Sequence, residues 1–114
     1  DGSEVRCFAH VKEVVQALTK LMETPAAFGK VYNIGSDQPV SIRQLAEEVV
    51  RRVDSKAKIE YLAYREAYGA DFEDVRRRVP DLTRLEQTIG YKPSSSLGLI
   101  LDDIIRDKRQ KRAN

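Results

Sequence analysis

Three consecutive arginines, Arg76-Arg77-Arg78, have the side chains best suited to bind a charged ligand, and they end two residues before Pro80. A residue that precedes proline favours extended geometry, and proline suits the first position of a helix. The pattern therefore predicts an extended segment leading into a helix, with Arg76 and Arg78 on one side and Arg77 on the other. Guanidinium groups at a helix N-terminus can bind phosphate. The alternative interpretation is a solvated segment that forms surface ion pairs.

Composition excludes several classes of protein. The 114 residues are 41% apolar and 33% charged, which is typical of one soluble globular domain. A net charge of +2 is too small for a general polyanion binder, and no apolar stretch or signal-peptide pattern indicates a membrane partner. The single cysteine, Cys7, excludes an internal disulfide and fits a reducing, cytoplasmic location, where we interpret it as a packing residue. His10 has no second His or Cys at ligand spacing, so no metal site is predicted.

Hydrophobic periodicity predicts a small α/β fold that is mainly helical. The strand-type runs are residues 4–10, 31–34 and 59–64, and the helical patterns cover residues 11–23, 41–53, 82–89 and 97–105. A strand, a helix and a strand within about 30 residues predict a βαβ unit with parallel strands and a right-handed crossover. Two strands alone make a weak sheet. The helices must therefore cover this sheet, or it must dock on something outside the chain.

Local signals define the helix ends. Ser41 and Gln44 form a capping-box pattern, and Gly90 predicts the end of the third helix. Ser95 or Ser96 is expected to cap the last helix. The apolar residues expected to face inward there are Leu97, Ile100, Leu101, Ile104 and Ile105.

Catalytic motifs are missing from the sequence. Gly35 follows a strand-type run but lacks the glycine spacing of a dinucleotide or P-loop motif, and no tyrosine has a lysine four residues later. One histidine gives no basis for a Ser/His/Asp set. We interpret the neighbouring carboxylates at 47, 48, 102 and 103 as solvated helix residues. The sequence therefore predicts no catalytic residues.

Taken together, the segments resemble the C-terminal part of extended short-chain dehydrogenases that act on nucleotide sugars, the NAD-dependent epimerase/dehydratase family. The matching motifs, in chain order, are Asp1-Gly2-Ser3 with Arg6, Phe8 and His10-Val11, then Tyr32-Asn33-Ile34-Gly35, Ser41-Ile42 with Leu45-Ala46, Arg78-Val79-Pro80-Asp81, and Gly90-Tyr91-Lys92-Pro93 with Ser96-Leu97. These motifs occur in the family's order and extend over nearly all of the chain. Residues 68–75 are most similar to the decarboxylase and epimerase branches of the family. The resemblance departs at Lys12, which precedes Glu13 at the acidic position that helps fix the family's interdomain hinge. An Asp-Gly turn at the start, without Met, also suggests a chain cut from a longer protein.

The resemblance implies that residues 1–114 form a C-terminal nucleotide-sugar-binding subdomain, whose N-terminal Rossmann domain is absent from this chain. That domain would bind NAD and supply the catalytic residues. The resemblance also implies that Arg6 and Arg78 contact the substrate diphosphate, that Asp81 lies near the ribose, and that Phe8 and Phe72 are candidates to lie near the base. The residues alone leave alternatives open: Arg6 bridging to a neighbouring strand, both phenylalanines in the core, and Asp81 capping a helix.

The function implied by the resemblance is the substrate-binding portion of an NAD-dependent epimerase, dehydratase or decarboxylase that acts on a UDP- or dTDP-sugar. The isolated chain is expected to be inactive, and the full enzyme is expected to be a homodimer. The alternative is a stand-alone nucleotide-binding or interaction module without catalysis. Nucleic-acid binding through the arginines and the basic C-terminal tail is not expected, because no docking motif accompanies the charge.

Overall fold

The computed structural model describes residues 1–54, 56–68 and 75–113. This part of the chain is mainly helical and carries one two-stranded sheet. In chain order the elements are β1 (Val5–Cys7), α1 (Val11–Met22), a short 3-10 turn (Pro25–Ala27), β2 (Pro39–Ser41), α2 (Ile42–Val53), α3 (Tyr64–Tyr68), α4 (Thr83–Ile89) and α5 (Leu97–Ala113). The prediction of a small, mainly helical α/β piece is confirmed in its content of helices and strands.

The sheet has a different topology from the predicted βαβ unit. β1 and β2 pair antiparallel, with Val5 opposite Ser41 and Cys7 opposite Pro39. The parallel arrangement was wrong because β2 is a three-residue strand directly before α2, where proline and serine give no strand signal. On its other edge β1 forms an isolated parallel bridge between Val5 and Arg77. β1 therefore lies between β2 and the arginine segment.

Two predicted strands are not strands in this structure. Residues 31–34 and 59–63 have neither helix nor strand assignment, and Tyr64 begins α3. Both runs have β-type composition, but a strand also requires a neighbouring backbone to satisfy its N–H and C=O groups. Within the described ranges no such neighbour pairs with them. The first predicted strand is also shorter than residues 4–10, because the chain leaves β1 after Cys7.

α1, α2 and α4 begin and end close to where the sequence predicts, whereas α5 extends to Ala113, beyond residue 105, and α3 was not predicted. The Ser41 hydroxyl accepts from the Gln44 amide and the Gln44 side chain accepts from the Ser41 amide, which completes the capping box of α2. Gly90 ends α4 in the left-handed conformation at φ 63°. At the start of α5, the Ser96 carbonyl accepts from Ile100 N and its hydroxyl from Leu99 N.

Two helix details differ from prediction. Pro80 is not the first residue of a helix, because α4 begins three residues later at Thr83. The carboxylate of Asp81 instead accepts from Thr83 N and forms a turn before the helix. Ile104 does not face inward: half of its surface is exposed, whereas Ile100 and Leu101 are buried. Only the first turns of α5 contribute to the core, so the hydrophobic pattern continues beyond the part of the helix that is covered.

A small apolar core is formed by residues of α1, the 3-10 turn, α4 and the start of α5; α1 contacts the 3-10 turn and α4, and α5 contacts α2. Its buried apolar residues are Ala17, Ala27, Leu82, Leu85, Pro93, Ile100 and Leu101. α2 contributes no fully buried residue, although its apolar periodicity is the clearest in the chain. It is joined to α5 by Arg52, which pairs with Glu48 in its own helix and with Asp102 at 2.9 Å. Among the described residues no helix combines the length and apolar character needed to cross a bilayer.

Candidate functional site

The arginine segment is held beside β1 by two backbone hydrogen bonds. Val5 N donates to Arg76 O at 2.7 Å, and Arg78 N donates to Val5 O at 3.1 Å. The predicted extended geometry of this segment is therefore confirmed at residues 76–78. The bridge sets Val5 beside Arg77, so the next position in the same register sets Arg6 beside Arg78. Two arginines 72 positions apart in sequence are thus neighbours in the fold.

Arg6 and Arg78 also share a hydrogen-bond acceptor. The Arg6 guanidinium donates through Nη1 to Val5 O at 2.8 Å, and the same oxygen accepts from the Arg78 amide. This places the Arg6 guanidinium at the edge where β1 meets the arginine segment. Both residues take part in further interactions beyond those named here. The Arg6 guanidinium therefore lies beside the Arg78 backbone, and guanidinium groups can bind an anion with two adjacent charges.

The alternation predicted for the arginines is supported for Arg76 and Arg77 by their surroundings. Arg77 lies close enough to Cys7 for its charge to act on the thiol, and Val5 and Cys7 share one face of β1. Arg76 instead lines a separate cleft of about 530 Å³ with Arg43 and Tyr61. The Arg43 guanidinium stacks over the Tyr61 ring at 5.6 Å from its centroid. Sequence reasoning missed this pair, because residue 61 was assigned to a strand.

Asp81 lies at the turn between the arginine segment and α4. One carboxylate oxygen accepts from Thr83 N at 2.9 Å, and hydrogen bonds from the Thr83 side chain and backbone lower the pKa of Asp81. Its carbonyl accepts from Asn33 Nδ2 at 3.3 Å. The Asp81 side chain is exposed, so it has access to solvent as well as its local turn contact. The Asp81 carboxylate thus binds Thr83 in a turn just before α4, whose N-cap is Leu82.

Of the two aromatic candidates, Phe8 and Phe72, the structure describes only Phe8. Phe8 follows β1 directly and is half-buried, so it is neither a fully buried core residue nor a freely exposed one. Phe72 lies outside the described residues. The exposed aromatic surface next to the arginines comes from Tyr61 instead, which lines the cleft that contains Arg76.

Cys7 does not have the surroundings of a reactive thiol. Burial raises the pKa of Cys7, the nearby Arg77 charge opposes that increase, and Asp37 adds to it. A raised pKa keeps the thiol protonated at neutral pH, which disfavours nucleophilic chemistry. Asp37 is itself bound to Lys92 at 2.9 Å, and this hydrogen bond is the main reason for the lowered pKa of Asp37. Lys92 also contacts Glu86 at 3.0 Å.

Glu13 connects α1 to the loop that precedes α5. Its two carboxylate oxygens accept from the backbone amides of Ser94 and Ser95, both at 3.1 Å. Burial raises the pKa of Glu13, but these hydrogen bonds outweigh it, so the pKa is lowered overall. His10, next to Glu13 in this region, accepts from Lys12 N through Nδ1 and contacts Asp103 through Nε2 at 2.9 Å. His10 is thus the N-cap of α1, and these contacts place its proton on Nε2.

Residues 35–37 do not form an open phosphate-binding loop, and the described residues contain no metal-binding cluster. Gly35 packs against the Pro80 ring, Ser36 is buried with its hydroxyl accepting from Gln38 N, and Asp37 is occupied by Lys92. No backbone cradle for a pyrophosphate is therefore open at this glycine. No group of three or more His, Cys, Asp or Glu residues in the described ranges could hold a metal ion.

No protein-family model matches the chain. Curated relatives do match. The UDP-N-acetyl-alpha-D-glucosaminuronate decarboxylase of Bacillus cytotoxicus is 31% identical over 96 residues, which cover 84% of this chain and 30% of the decarboxylase. The UDP-D-apiose/UDP-D-xylose synthase 2 of Arabidopsis thaliana is 31% identical over 113 residues, or 91% of this chain and 29% of the synthase. The chain thus spans about 30% of the length of these relatives.

Solved structures match in fold. The UDP-glucose 4-epimerase of Thermotoga maritima, solved with UDP-glucose, gives a TM-score of 0.74 at 24% identity and covers 94% of this chain and 33% of the epimerase. RMD from Pseudomonas aeruginosa, solved with NADPH, gives a TM-score of 0.71 at 26% identity and covers 94% and 32%. The chain is therefore homologous to a part, about 30%, of nucleotide-sugar epimerases and decarboxylases of the extended short-chain dehydrogenase family.

Proposed function

We propose that this chain is the C-terminal substrate-binding part of an NAD-dependent enzyme that epimerises, dehydrates or decarboxylates a UDP- or dTDP-sugar. In this proposal Arg6 and Arg78 bind the diphosphate, Asp81 lies near the ribose, and Phe8 and Phe72 lie near the base. The observation that carries the proposal is the bridge between β1 and the arginine segment, which sets Arg6 beside Arg78. The names of the relatives, which include UDP-sugar decarboxylases and synthases, support the substrate class.

The chemistry of the two arginines suits a diphosphate. A nucleoside diphosphate bridge carries about two negative charges, and planar guanidinium groups can bind its oxygens through paired hydrogen bonds. Asp81 would repel a phosphate, so a neutral ribose hydroxyl is the better partner for its carboxylate. No residue of this chain has a catalytic role in the proposal.

The redox chemistry is assigned to a Rossmann domain outside these 114 residues. NAD bound there would oxidise a sugar hydroxyl and return the hydride where the reaction requires it. This chain's own residues would bind the nucleotide and orient the sugar toward that cofactor. Arg6 is suited to such positioning, because its strand is paired on both edges and its guanidinium is directed along β1.

The test is an NMR titration of the isotope-labelled chain with UDP at constant ionic strength. We expect saturable shifts at Arg6, Arg78 and their neighbours, with a Kd on the order of millimolar because only part of the pocket is present. Arg6→Gln and Arg78→Gln should each weaken binding by about tenfold or more, since each removes a charge-assisted contact. Arg109→Gln, on the exposed end of α5, is the matched control and should change nothing.

The titration distinguishes the proposed site at Arg6 and Arg78 from a stand-alone nucleotide-binding module. Shifts spread over the basic tail, or shifts unchanged in Arg6→Gln and Arg78→Gln, would remove the proposed site. Submicromolar binding by the isolated chain would instead favour the stand-alone nucleotide-binding module. Uridine without phosphates serves as a further control and should bind much more weakly than UDP.

A further inference from the structure

The only histidine of the sequence, His10, is buried, with 8% of its surface exposed. It is the N-cap residue of α1, directly before Val11. Both of its ring nitrogens have a partner. Nδ1 accepts from Lys12 N at 3.1 Å, and Nε2 lies 2.9 Å from a carboxylate oxygen of Asp103 in α5. The imidazole ring therefore joins the start of α1 to α5.

The contact at the start of α1 requires a neutral imidazole. A ring nitrogen that accepts a hydrogen bond carries no proton, so Nδ1 is bare and Nε2–H donates to Asp103. A second proton would bind at Nδ1 and convert this acceptor into a donor. It would then face the N–H group of Lys12, which is also a donor. Protonation of His10 is therefore incompatible with its role as the N-cap of α1.

The carboxylates around the ring nevertheless favour a positive charge there. Asp103 contacts Nε2, and its hydrogen bond with His10 is the main reason for the lowered pKa of Asp103. The charge of a protonated His10 also acts on Glu13, in the first turn of α1. The opposing cations are Arg106, which pairs with Asp103, and Lys12. The surroundings thus accept a charged ring, whereas the N-cap contact does not.

Glu13 connects this region to the loop that leads into α5. Its carboxylate oxygens accept from Ser94 N and Ser95 N, and the next residue, Ser96, accepts hydrogen bonds at the start of α5. A protonated Nδ1 needs a new acceptor once it has lost Lys12 N. The Glu13 carboxylate is the charged acceptor that α1 offers in the same turn. The protonated ring would therefore compete with the two serine amides for this carboxylate.

We propose that His10 is a pH-sensitive joint that caps α1 when its ring is neutral and releases the cap when its ring takes a second proton from solvent. The protonated ring keeps its contact with Asp103 and loses Lys12 N. It also weakens the contacts of Glu13 with the loop before α5. The change moves one proton and requires no other reactant. The joint consists of contacts among α1, α5 and the loop between Gly90 and Leu97, so it does not depend on the proposed function.

The test is an NMR titration of the isotope-labelled chain from about pH 8 to about pH 5, the range in which histidine side chains commonly change charge. The imidazole nitrogen shifts at the upper end should show a bare Nδ1 and a protonated Nε2. As the ring titrates, hydrogen exchange at Lys12, Ser94 and Ser95 should become faster by about fivefold after correction for the intrinsic pH dependence of exchange. That factor corresponds to the loss of one ordinary hydrogen bond.

Two variants separate the cap from the link to the loop. His10→Asn provides a favourable N-cap side chain that does not titrate in this range, so it should abolish the increase at all three amides. Glu13→Gln removes the charged acceptor and should abolish the increase at Ser94 and Ser95 while leaving the increase at Lys12. Glu47→Gln, at an exposed position of α2, is the matched control and should respond like the original chain.

Three results would overturn the proposal. A protonated Nδ1 at pH 8 would show that the ring does not accept from Lys12 N. A ring that titrates with no change in exchange at Lys12 would show that the cap is independent of the proton. An increase that persists in His10→Asn would assign the response to another group. If His10→Asn does not fold, the first two measurements on the original chain still decide the question. None of them uses UDP, so a failure of the proposed substrate site would leave these results unchanged.

Discussion

Glu13→Gln should destabilise the fold by an amount that depends on pH. The carboxylate of Glu13 accepts two backbone hydrogen bonds, from Ser94 and Ser95, whereas glutamine has one acceptor oxygen and would direct an N–H group at the second donor. Hydrogen bonds to charged groups contribute about 1.5–3 kcal/mol each, and the half-buried position of Glu13 favours the lower end. Losing one of them should cost about 1.5 kcal/mol at pH 7, or about 6 °C in melting temperature for a chain of this length.

The pH dependence follows from the lowered pKa of Glu13 in the folded chain. A carboxyl group with a lowered folded pKa contributes stability above its unfolded pKa of about 4.3. That contribution is lost as the pH falls through the folded pKa. The difference between the original chain and Glu13→Gln should therefore be full at pH 7 and shrink steadily below about pH 4.

Thermal unfolding followed by circular dichroism at a series of pH values measures this difference. Glu47→Gln is the matched control, because Glu47 is exposed on α2 and makes no hydrogen bond or ion pair in the described part of the chain. Equal melting temperatures for the two variants at pH 7 would show that the Glu13 contacts add no stability. A difference that stays constant as Glu13 is protonated would show that the effect is not electrostatic.

Two further substitutions test the core and a helix start. Leu85→Ala should cost about 2–5 kcal/mol in urea unfolding, because Leu85 is 1% exposed at the centre of the core. Leu99→Ala, at a half-exposed position of α5, should cost well under half as much, and equal costs would place the core elsewhere. Ser41→Ala should cost about 1 kcal/mol by removing the α2 capping box, with Ser3→Ala as a neutral control. A Ser41→Ala chain with unchanged helix content and midpoint would contradict the assigned cap.

The helix boundaries could be predicted from the sequence because their causes are local. The contacts that start α2 join residues three positions apart, and the left-handed residue that ends α4 is a glycine. Such contacts form wherever the helix forms, so residue type and spacing are enough to predict them. The extended arginine segment before Pro80 was predictable for the same reason, since proline restricts the residue before it.

The sheet could not be predicted from the sequence, because strand pairing depends on distant residues. Pro39 and Ser41 have weak strand propensity, yet they pair with β1 because the fold brings them beside it. Residues 31–34 have strong strand propensity, yet no backbone in the described ranges pairs with them. The start of α4 was also misplaced, because Pro80 packs against Gly35 and the Asp81 carboxylate turns back onto Thr83 N.

For the candidate site, the sequence by itself determined which residues carry charge and that residues 76–78 are extended. Only the tertiary structure decided that Arg6 and Arg78 are neighbours, because a single backbone bridge at Val5 joins two segments that the sequence separates by some seventy residues. The physical reason is the distance in sequence between the residues whose contacts determine each feature. Caps and turns are set by contacts within a few residues, whereas strand pairing requires two distant segments to be brought together by the packing of α1 on α4 and of α2 on α5.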